Sequence, residues 1–337
     1  MNITFYHCKD FELPFLEEYS NRGYTMNFIP EALSKKTALA CKGSQVIAVH
    51  SQDDLSEDIL NIIYDHGVRF ITTRSTGYNH IDLEVAHRLG IKVANVPAYS
   101  PESIAEYAIM LMLTIARKFI KSQANISKDN FDLDGLVGST LFDKTIGIIG
   151  TGRIGRSTIK ILNGFGAKVL AYDIDPKDKG ELLFDYVDLE YLLKHSDIVS
   201  LHIPLNESTR YFISANRLDM MKKGVIIINT GRGGLINTLD LIDSLELKQI
   251  AAAGLDVYEF EENIFFKNHT KSKIEDFIFN RLRNHPNVLI SGHQAYLTNT
   301  ALKNIAKTTF YNIRSFDTGT DNHNLVKHIS SDVNLCV

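Results

Sequence analysis

The chain has 337 residues and a net charge of −4 at pH 7; 44% of its residues are hydrophobic and 23% are charged. This balance is that of an ordinary globular protein. It argues against the strongly basic surfaces of proteins that bind nucleic acids or anionic membranes. Because a single core stops growing at about 250–300 residues, a chain of this length predicts two domains.

The N-terminus and the cysteines predict a cytoplasmic protein. The first residues, MNITFYHCKDFELPF, have no basic region followed by an apolar one, so they do not resemble a signal peptide. Cys8, Cys41 and Cys336 are widely spaced and form no CxxC pair. They argue against a disulfide framework or a zinc site, and for a reducing compartment. The longest apolar stretch, residues 104–119, is too short and too charged to span a membrane.

Short apolar runs rich in β-branched residues alternate with helix-length segments along the chain. They lie at residues 2–6, 44–49, 68–73, 91–96, 145–150, 168–173, 197–203, 224–230, 250–257 and 287–292. Continuous apolar strands separated by helices are typical of parallel sheets that are covered on both faces. The sequence therefore predicts the α/β class, with two parallel sheets to hold these strands.

Two long helix patterns indicate how the two domains are connected. The first lies within residues 96–118 and has a proline followed by Glu102 near its start, which is favourable chemistry for a helix N-terminus. The second, residues 297–316, follows the last strand, with Thr298 or Asn299 as its N-cap. We expect the chain to return to its first domain here. The predicted domains are residues 1–99 with 298–337, and an inserted domain of residues 100–297.

Residues 119–145, FIKSQANISKDNFDLDGLVGSTLFDKT, lie between the first long helix pattern and the next strand. This segment is long, polar and only weakly periodic. A segment of this kind is often an arm that packs on another subunit, and an excursion over the protein surface is the alternative.

The stretch TIGIIGTGRIG contains a dinucleotide-binding fingerprint that lies between a strand and a helix, with a second strand after the helix. Gly150, Gly152 and Gly155 follow a buried strand and open a helix, and a second strand ends in Asp173, 18 residues after the last glycine. Gly150 is expected to permit the tight turn, Gly152 to let the backbone approach a pyrophosphate, and Gly155 to let helix and strand pack closely. The helix N-terminus would bind the phosphates.

Asp173 also predicts which dinucleotide binds. A carboxylate at the end of the second strand accepts hydrogen bonds from a ribose and repels a 2′-phosphate, so NAD is favoured over NADP. Arg153 and Arg156 weaken this preference, because a nearby arginine can hold that phosphate.

Three consecutive strands of the second half end in polar groups. Arg232 lies between glycines in INTGRGG, Asp256 precedes the acidic run of YEFEE, and His293 follows the last strand in SGHQAY. Ligands bind beyond the carboxyl ends of strands in open α/β sheets. Taken singly, the arginine and the acidic run are typical of a solvated surface, and His293 of a core histidine. Together they predict a catalytic group beside a nicotinamide.

The order and spacing of motifs along the whole chain resemble those of one family. The motifs are RSTGYNHIDLEVAHRLGIKV, NVPAYSPESIAEYA, GIIGTGRIG, SDIVSLHIPL, INTGRGGLI, GLDVYEFEENIFF and SGHQAYLT. The chain resembles the D-isomer-specific 2-hydroxyacid dehydrogenases, and most closely their fermentative D-lactate dehydrogenase branch. This resemblance implies a Rossmann NAD-binding domain inserted into a discontinuous, flavodoxin-like substrate domain. It also implies a cytoplasmic homodimer or homotetramer.

The resemblance implies that NADH reduces a small 2-oxo acid, pyruvate in the closest branch, with Arg232, Glu261 and His293 as the catalytic residues. The histidine would be the general acid for reduction and the general base for the reverse reaction. A neighbouring carboxylate favours protonated imidazole. Glu261 is selected from the acidic run because it is the fifth residue after Asp256. Arg232 would fork onto the substrate carboxylate and polarise the carbonyl.

The resemblance also assigns the binding residues. Those of the substrate are Thr76 and Gly77 through their backbone, Tyr99 and Tyr296 as walls of the pocket, and Arg232. Aromatic packing is the alternative role of both tyrosines. Asp256 is expected to hold the nicotinamide carboxamide. The full cofactor set is Gly150, Gly152, Arg153, Ile154, Gly155, Asp173, His202, Pro204, Thr230, Gly231 and Asp256. No metal is expected.

Several alternatives stay open at this point. Many relatives have proline before the catalytic histidine where this chain has Gly292, and a subset of lactate-type members shares GHQA. Another small 2-oxo acid is the nearest alternative substrate. TRSTGYNHID and LHIPLNESTRYFIS also resemble the vancomycin-resistance dehydrogenases, which form D-lactate for another pathway. NAD-sensing corepressors share the scaffold, and they tend to carry long disordered extensions.

Overall fold

The computed structural model describes residues 1–20 and 23–326. The chain divides into two compact units, Met1–Ser100 with Thr298–Val337, and Pro101–Leu297. The first break follows Ser100, one residue later than the sequence predicts.

The cysteines that are described are inert thiols. Cys8 and Cys41 are free and buried, and Cys336 lies outside the described residues. Burial raises the pKa of the Cys8 thiol to about 11 and also raises that of Cys41. Such groups stay protonated and unreactive. Among the described residues, no helix has both the length and the apolar character needed to cross a membrane.

The first unit contains a five-stranded sheet in which all neighbouring strands are parallel. Its strands are β1 (Asn2–Phe5), β2 (Thr25–Phe28), β3 (Val46–Val49), β4 (Phe70–Thr73) and β5 (Lys92–Ala94). The order β2-β1-β3-β4-β5 is that of flavodoxin-like folds. Every residue of β3 and β4 is buried, as expected for strands that are covered on both faces.

The second unit contains a seven-stranded parallel sheet. Its strands are β6 (Thr145–Ile149), β7 (Lys168–Tyr172), β8 (Asp185–Tyr186), β9 (Ile198–Leu201), β10 (Val225–Asn229), β11 (Ile250–Leu255) and β12 (Val288–Ile290). The order β12-β11-β10-β9-β6-β7-β8 contains the Rossmann order 3-2-1-4-5-6, counted from β6. The order reverses between β6 and β9, where ligands bind in such sheets.

The sequence predicts all of these strands except β2 and β8, and both exceptions have a physical cause. β2 alternates between exposed and half-buried residues at an edge of its sheet. β8 is two residues long and also lies at an edge. Neither strand presents the continuous apolar run by which a buried parallel strand is recognised.

Helices connect the strands and cover both sheets. They are α1 (Leu13–Tyr19), α2 (Glu57–Asp65), α3 (Leu83–Arg88), α4 (Pro101–Ala116), α5 (Phe119–Ile126), α6 (Arg153–Gly164), α7 (Leu189–His195), α8 (Ala215–Met220), α9 (Thr238–Glu246), α10 (Phe277–Asn284) and α11 (Asn299–Thr318). Thr298 is the N-cap of α11, since its hydroxyl accepts a hydrogen bond from the Ala301 N–H at 3.2 Å. α5 forms within the segment that showed no clear pattern in the sequence, and it buries none of its residues.

The core of each unit lies on both faces of its sheet. In the first unit, Phe5 of β1 packs on Phe310 of α11 with ring centroids 5.9 Å apart, and α2 and α3 contribute to a second apolar cluster that includes Ile47. In the second unit, α4 packs on α6 over one cluster, and residues of α7 to α10 belong to the other. Burying one such large side chain contributes about 1.5–3 kcal/mol.

Candidate active site

The glycine-rich turn after β6 has the geometry of a dinucleotide site. Gly150 has a φ of +96°, and a Cβ there would lie 2.5 Å from the His202 carbonyl oxygen. A Cβ at Gly155 would lie 2.0 Å from the Gly150 carbonyl oxygen, whereas a Cβ at Gly152 would meet nothing within 4 Å. The fold itself therefore requires Gly150 and Gly155. Gly152 borders open space in which a ligand can lie.

The N-terminus of α6 is free to bind an anion. Gly152 is its N-cap and offers no side-chain acceptor to the first N–H groups of the helix. These groups carry the positive end of the helix dipole and suit a pyrophosphate. Arg153 is exposed in this first turn, and Ile154 is half-buried beside it.

The carboxylate of Asp173 follows β7 and is held in place by three donors. Its Oδ2 accepts hydrogen bonds from Thr151 N at 2.6 Å and Thr151 Oγ1 at 2.8 Å, and its Oδ1 accepts one from Asp175 N at 3.0 Å. Burial opposes ionisation, but these hydrogen bonds outweigh it and hold the pKa of Asp173 below its ordinary value. Arg156 donates to two backbone carbonyl oxygens. The site therefore presents a fixed negative charge to the ribose, which suits NAD.

The remaining residues of the predicted cofactor groove follow β9 and β10. The hydroxyl of Thr230 is buried and has no hydrogen-bond partner among the described residues. A bound ligand could supply that hydrogen-bond partner. The Nε2 of His202 lies 2.9 Å from Ser200 Oγ, and burial lowers the pKa of His202 to about 4, so its imidazole is neutral. Pro204 is exposed, and Gly231 is half-buried.

Arg232 lies in a loop that is fixed by a buried asparagine. Asn229, the last residue of β10, is 1% exposed. Its Nδ2 donates to the Arg232 carbonyl oxygen at 2.9 Å, and its Oδ1 accepts from the Gly231 N–H at 3.0 Å. The Arg232 side chain donates from Nη1 to the Gly231 carbonyl oxygen at 2.8 Å. Asn229 therefore sets the backbone from which the guanidinium projects.

The loop that carries Arg232 touches the loop after β11 at Gly233. A Cβ on Gly233 would lie 2.1 Å from the carbonyl carbon and oxygen of Tyr258 and 2.4 Å from the Glu259 backbone nitrogen. All three are backbone atoms, which cannot move away as a flexible side chain would. Only glycine therefore allows the two strand-end loops to approach so closely.

The structure brings Glu261 and His293 into direct contact. The Nδ1 of His293 lies 2.6 Å from Glu261 Oε1, and the two side chains are 22% and 18% exposed. The other carboxylate oxygen of Glu261 accepts a hydrogen bond from the Tyr258 N–H at 2.9 Å. Since the carboxylate accepts from Nδ1–H, the opposite ring nitrogen, Nε2, is left to exchange a proton with a ligand.

The backbone of His293 is in the left-handed region, with a φ of 56°. This conformation is uncommon for a residue other than glycine and costs of order 1–3 kcal/mol. A hydrogen bond from the His293 N–H to the Asp256 carbonyl oxygen, at 2.7 Å, holds it there. Strain of this kind is frequent at functional sites.

The acidic run after β11 contains three glutamates, and the structure distinguishes them. Glu261 contacts His293, whereas Glu259 Oε2 accepts a hydrogen bond from the Thr238 N–H at 3.2 Å. Glu262 is exposed. Only Glu261 is therefore placed beside the imidazole.

Asp256 stabilises the loop that carries His293. It is fully buried, and its Oδ1 accepts hydrogen bonds from Ser291 Oγ at 2.6 Å and Gln294 N at 2.9 Å. Its Oδ2 accepts one from Ala295 N at 2.7 Å. Burial raises the pKa of Asp256 although these donors favour the carboxylate. The side chain is fully buried and both of its oxygens accept hydrogen bonds inside the protein. The contact with the nicotinamide carboxamide that the family resemblance assigns to Asp256 stays a prediction.

Thr76, Gly77 and Tyr99 lie in the first unit, whereas Arg232, Glu261, His293 and Tyr296 lie in the second. Thr76 and Gly77 follow β4. The Thr76 carbonyl oxygen accepts a hydrogen bond from Asn95 Nδ2 at 2.8 Å, and Ser75 Oγ donates to the Gly77 carbonyl oxygen at 2.7 Å. The loop expected to bind the substrate carboxylate is thus fixed through its own carbonyl groups.

A buried asparagine network connects this loop to α11 and to the residues that follow it. The Nδ2 of Asn312 in α11 donates to the Asn95 carbonyl oxygen at 3.0 Å. The Oδ1 of Asn312 accepts hydrogen bonds from Asn322 Nδ2 at 3.3 Å and Asn324 Nδ2 at 2.9 Å. The Tyr99 carbonyl oxygen accepts one from Asn304 Nδ2 at 2.6 Å.

Sequence reasoning missed the residues that hold the site together. Asn229 and Gly233 belong to the INTGRGG motif, in which only the arginine is an obvious candidate for catalysis. Asn95 and Asn312 are 217 residues apart and have no local pattern that links them. The only available signal was a polar residue inside an otherwise apolar run. Among the described residues, no cluster of three or more His, Cys, Asp or Glu side chains could hold a metal.

Gly233→Ala and Gly292→Ala form a matched pair that tests this assembly. The first introduces a Cβ 2.1 Å from backbone atoms, while the second introduces one that meets nothing within 4 Å. We expect Gly233→Ala to lower the free energy of unfolding by about 2 kcal/mol or more, and Gly292→Ala by less than about 0.5 kcal/mol. Urea unfolding measures both. Equal losses would show that the two loops do not depend on this contact.

The chain is similar in sequence to a known family and to named relatives. The family model described as D-isomer specific 2-hydroxyacid dehydrogenase, NAD binding domain, matches residues 109–295. A D-lactate dehydrogenase of Curvularia clavata is 42% identical over 324 residues, covering 95% of this chain and 93% of its own. One of Escherichia coli (strain K12) is 39% identical over 321 residues, covering 95% of this chain and 98% of its own.

Similarity extends to solved structures. The apo-structure of D-lactate dehydrogenase from Escherichia coli matches with a TM-score of 0.88 and 37% identity, and the match covers 97% of this chain and all of that one. Its likeness includes both units. The chain therefore belongs to the D-isomer-specific 2-hydroxyacid dehydrogenases, a family of NAD-dependent oxidoreductases.

Proposed function

We propose that this protein is a D-lactate dehydrogenase that reduces pyruvate with NADH. The observation that carries the proposal is the contact between Glu261 Oε1 and His293 Nδ1 at 2.6 Å, in the same unit as the NAD fingerprint. It is a general acid with its supporting carboxylate, placed at the carboxyl ends of strands where ligands bind. Two relatives that share 42% and 39% identity over nearly the whole chain bear the name D-lactate dehydrogenase.

The proton in this reaction comes from His293. When bound, the nicotinamide supplies the hydride for the carbonyl carbon of the 2-oxo acid. His293 Nε2 donates a proton to the carbonyl oxygen, while the Glu261 carboxylate stabilises the positive charge of the imidazolium before transfer. In lactate oxidation the neutral imidazole takes that proton back.

In the second unit, Arg232 is the residue that we propose to bind the substrate carboxylate. In the first unit, the backbone of Thr76 and Gly77 keeps the substrate-binding role that the sequence motifs assign to it. A guanidinium matches a carboxylate through two parallel hydrogen bonds, which also fixes the orientation of the carbonyl. Asn229 fixes the loop of Arg232, and Asn95 fixes that of Thr76. Tyr296, in the second unit, limits the size of the substrate, and Tyr99, in the first unit, keeps the pocket role that the sequence motifs assign to it.

Substrate profiling with chiral analysis of the product tests the proposed function. Pyruvate should give the highest kcat/KM among pyruvate, hydroxypyruvate, phenylpyruvate and 2-oxoisocaproate, and the product should be D-lactate. Turnover should reach the ordinary enzymatic range of about 1–1,000 per second. A higher kcat/KM for another 2-oxo acid would identify that acid, and not pyruvate, as the preferred substrate. The absence of NADH turnover would support a sensor on the same scaffold.

Glu261→Gln and Glu262→Gln test the role of the carboxylate. His293 donates the proton in reduction, and the Glu261 carboxylate, 2.6 Å from its Nδ1, orients the imidazole and supports its positive charge. The neutral amide of Glu261→Gln keeps the shape of the side chain but loses that charge, so kcat/KM for pyruvate should fall at least about tenfold. Glu262, exposed in the same run, serves as the control. A wild-type kcat/KM in Glu261→Gln would show that another group supports the imidazolium.

We also propose that the protein is a cytoplasmic homodimer or homotetramer. The free, buried Cys8 and Cys41 suit a reducing compartment. Large apolar side chains on and after α5 are exposed, among them Phe131 at 72%, Leu133 at 76% and Val137 at 83%. A set of exposed apolar residues of this size is typical of a surface that is covered by another subunit.

Light scattering at defined concentrations tests the oligomer. The wild-type protein should have at least twice the mass of the 38.0 kDa chain. Leu133→Asp should shift it to the monomer, because a charge buried in an apolar interface costs several kcal/mol. Asp134→Asn, a surface change in the same segment, is the control. A monomeric wild-type protein would show that residues 119–145 are an excursion over the protein surface and not an arm that packs on another subunit.

A further inference from the structure

A basic cavity lies beside the loop that carries His293. It has a volume of about 950 Å³, and Lys267, Lys271, Lys273 and Arg283 are among the residues that line it. Phe265, Phe279 and Ile290 form an apolar part of its wall. No aspartate or glutamate is among the residues that line it in the described chain. A protein with a net charge of −4 thus gathers four cationic side chains around one cavity.

Among the residues that the structure describes, these cations have no counter-charge. Across residues 1–20 and 23–326, none of the four lies within 4.0 Å of a carboxylate oxygen. Lys267 donates to the Glu262 carbonyl oxygen at 3.1 Å. Arg281, on the same helix as Arg283, pairs instead with Asp243 and Glu246. The cavity therefore concentrates positive charge that a bound anion would neutralise.

The wall of the cavity continues into the loop that carries His293. His269 Nε2 lies 3.0 Å from the Ile264 carbonyl oxygen, which ties the lysine-bearing segment back to its start. Phe266 has a φ of 62°, and its ring centroid lies 5.7 Å from that of His293. Ser291 and Gly292, which directly precede His293, also line the cavity. An occupant of the cavity would therefore contact the residues that position the general acid.

We propose that this cavity is an effector site for a small multivalent anion, one that carries phosphate or several carboxylate groups. The cations bind the charged groups, and Phe265, Phe279 and Ile290 accept the carbon skeleton of an organic anion. The occupant acts on catalysis through Ser291, Gly292 and Phe266. The effect on catalysis rests on the proposed function, whereas binding of the anion does not.

Calorimetry with inorganic phosphate and with citrate tests binding, each in chloride buffers of equal ionic strength because screening weakens surface charge interactions. Both probes carry the required charge, and only citrate has a carbon skeleton. The enzyme is saturated with NADH so that the cofactor site is filled. We expect saturable binding that weakens about two- to fivefold in each of Lys271→Gln and Arg283→Gln, with a larger loss in the double variant. Lys223→Gln, which removes an exposed charge elsewhere in the second unit, should bind like the wild type.

Steady-state rates of pyruvate reduction measure the effect on catalysis. The bound anion should change kcat in the wild-type protein and in Lys223→Gln, and this change should diminish in the double variant. No saturable binding, or equal binding in the double variant, overturns the site. Inhibition that is purely competitive with pyruvate and persists in the double variant would show that the anion binds at Arg232 and not in this cavity. Binding without any change in rate overturns the effector role. If pyruvate is not reduced, calorimetry still decides whether the site exists.

Discussion

The carboxylate of Asp256 is the group on which the candidate active site depends. Asp256 follows β11, and its carboxylate accepts hydrogen bonds from Ser291, Gln294 and Ala295, while its backbone carbonyl oxygen accepts one from the His293 N–H. One buried residue therefore shapes the loop after β12 through its side chain and holds His293 in a left-handed conformation through its backbone. Because burial raises the pKa of Asp256, ionising it costs more in the folded protein than in the unfolded chain. Its negative charge thus serves the site and does not add to stability at neutral pH.

Backbone contacts connect the loop of Asp256 to the loops that carry Arg232 and Glu261. Asp256 N–H donates to the Asn229 carbonyl oxygen at 2.9 Å, and Asn229 fixes the loop of Arg232. Gly233 lets that loop approach Tyr258, whose N–H binds Glu261. The arginine, the glutamate and the histidine therefore belong to one connected set of loops on the rigid edge of a parallel sheet. Catalytic groups on loops reach the necessary precision only when buried contacts of this kind support them.

The sequence predicts the parts of the fold that leave a local pattern. Apolar runs identify the buried strands, and Gly150 and Gly155 have the steric roles expected of the fingerprint, as the Cβ distances show. β2 and β8 leave no such pattern because they are partly exposed or very short. The internal role of Asp256 depends on residues 35 to 39 positions away, and the network of Asn312 on residues more than 200 away. Contacts of that kind arise from the folded arrangement, so no spacing within the chain encodes them.

Several features of the second unit are unfavourable for the protein alone. The hydroxyl of Thr230 is buried without a partner among the described residues, α6 begins without a side-chain cap, and His293 is strained. An unsatisfied buried polar group costs about 1–3 kcal/mol, and the strained backbone costs a similar amount. All of these features lie where strands end or helices begin at the ligand edge of the sheet. A dinucleotide whose phosphates lie at the N-terminus of α6 and whose polar groups reach Thr230, as we propose, would offset the part of that cost that these two features carry. That part of the cost would then be recovered as affinity for the cofactor.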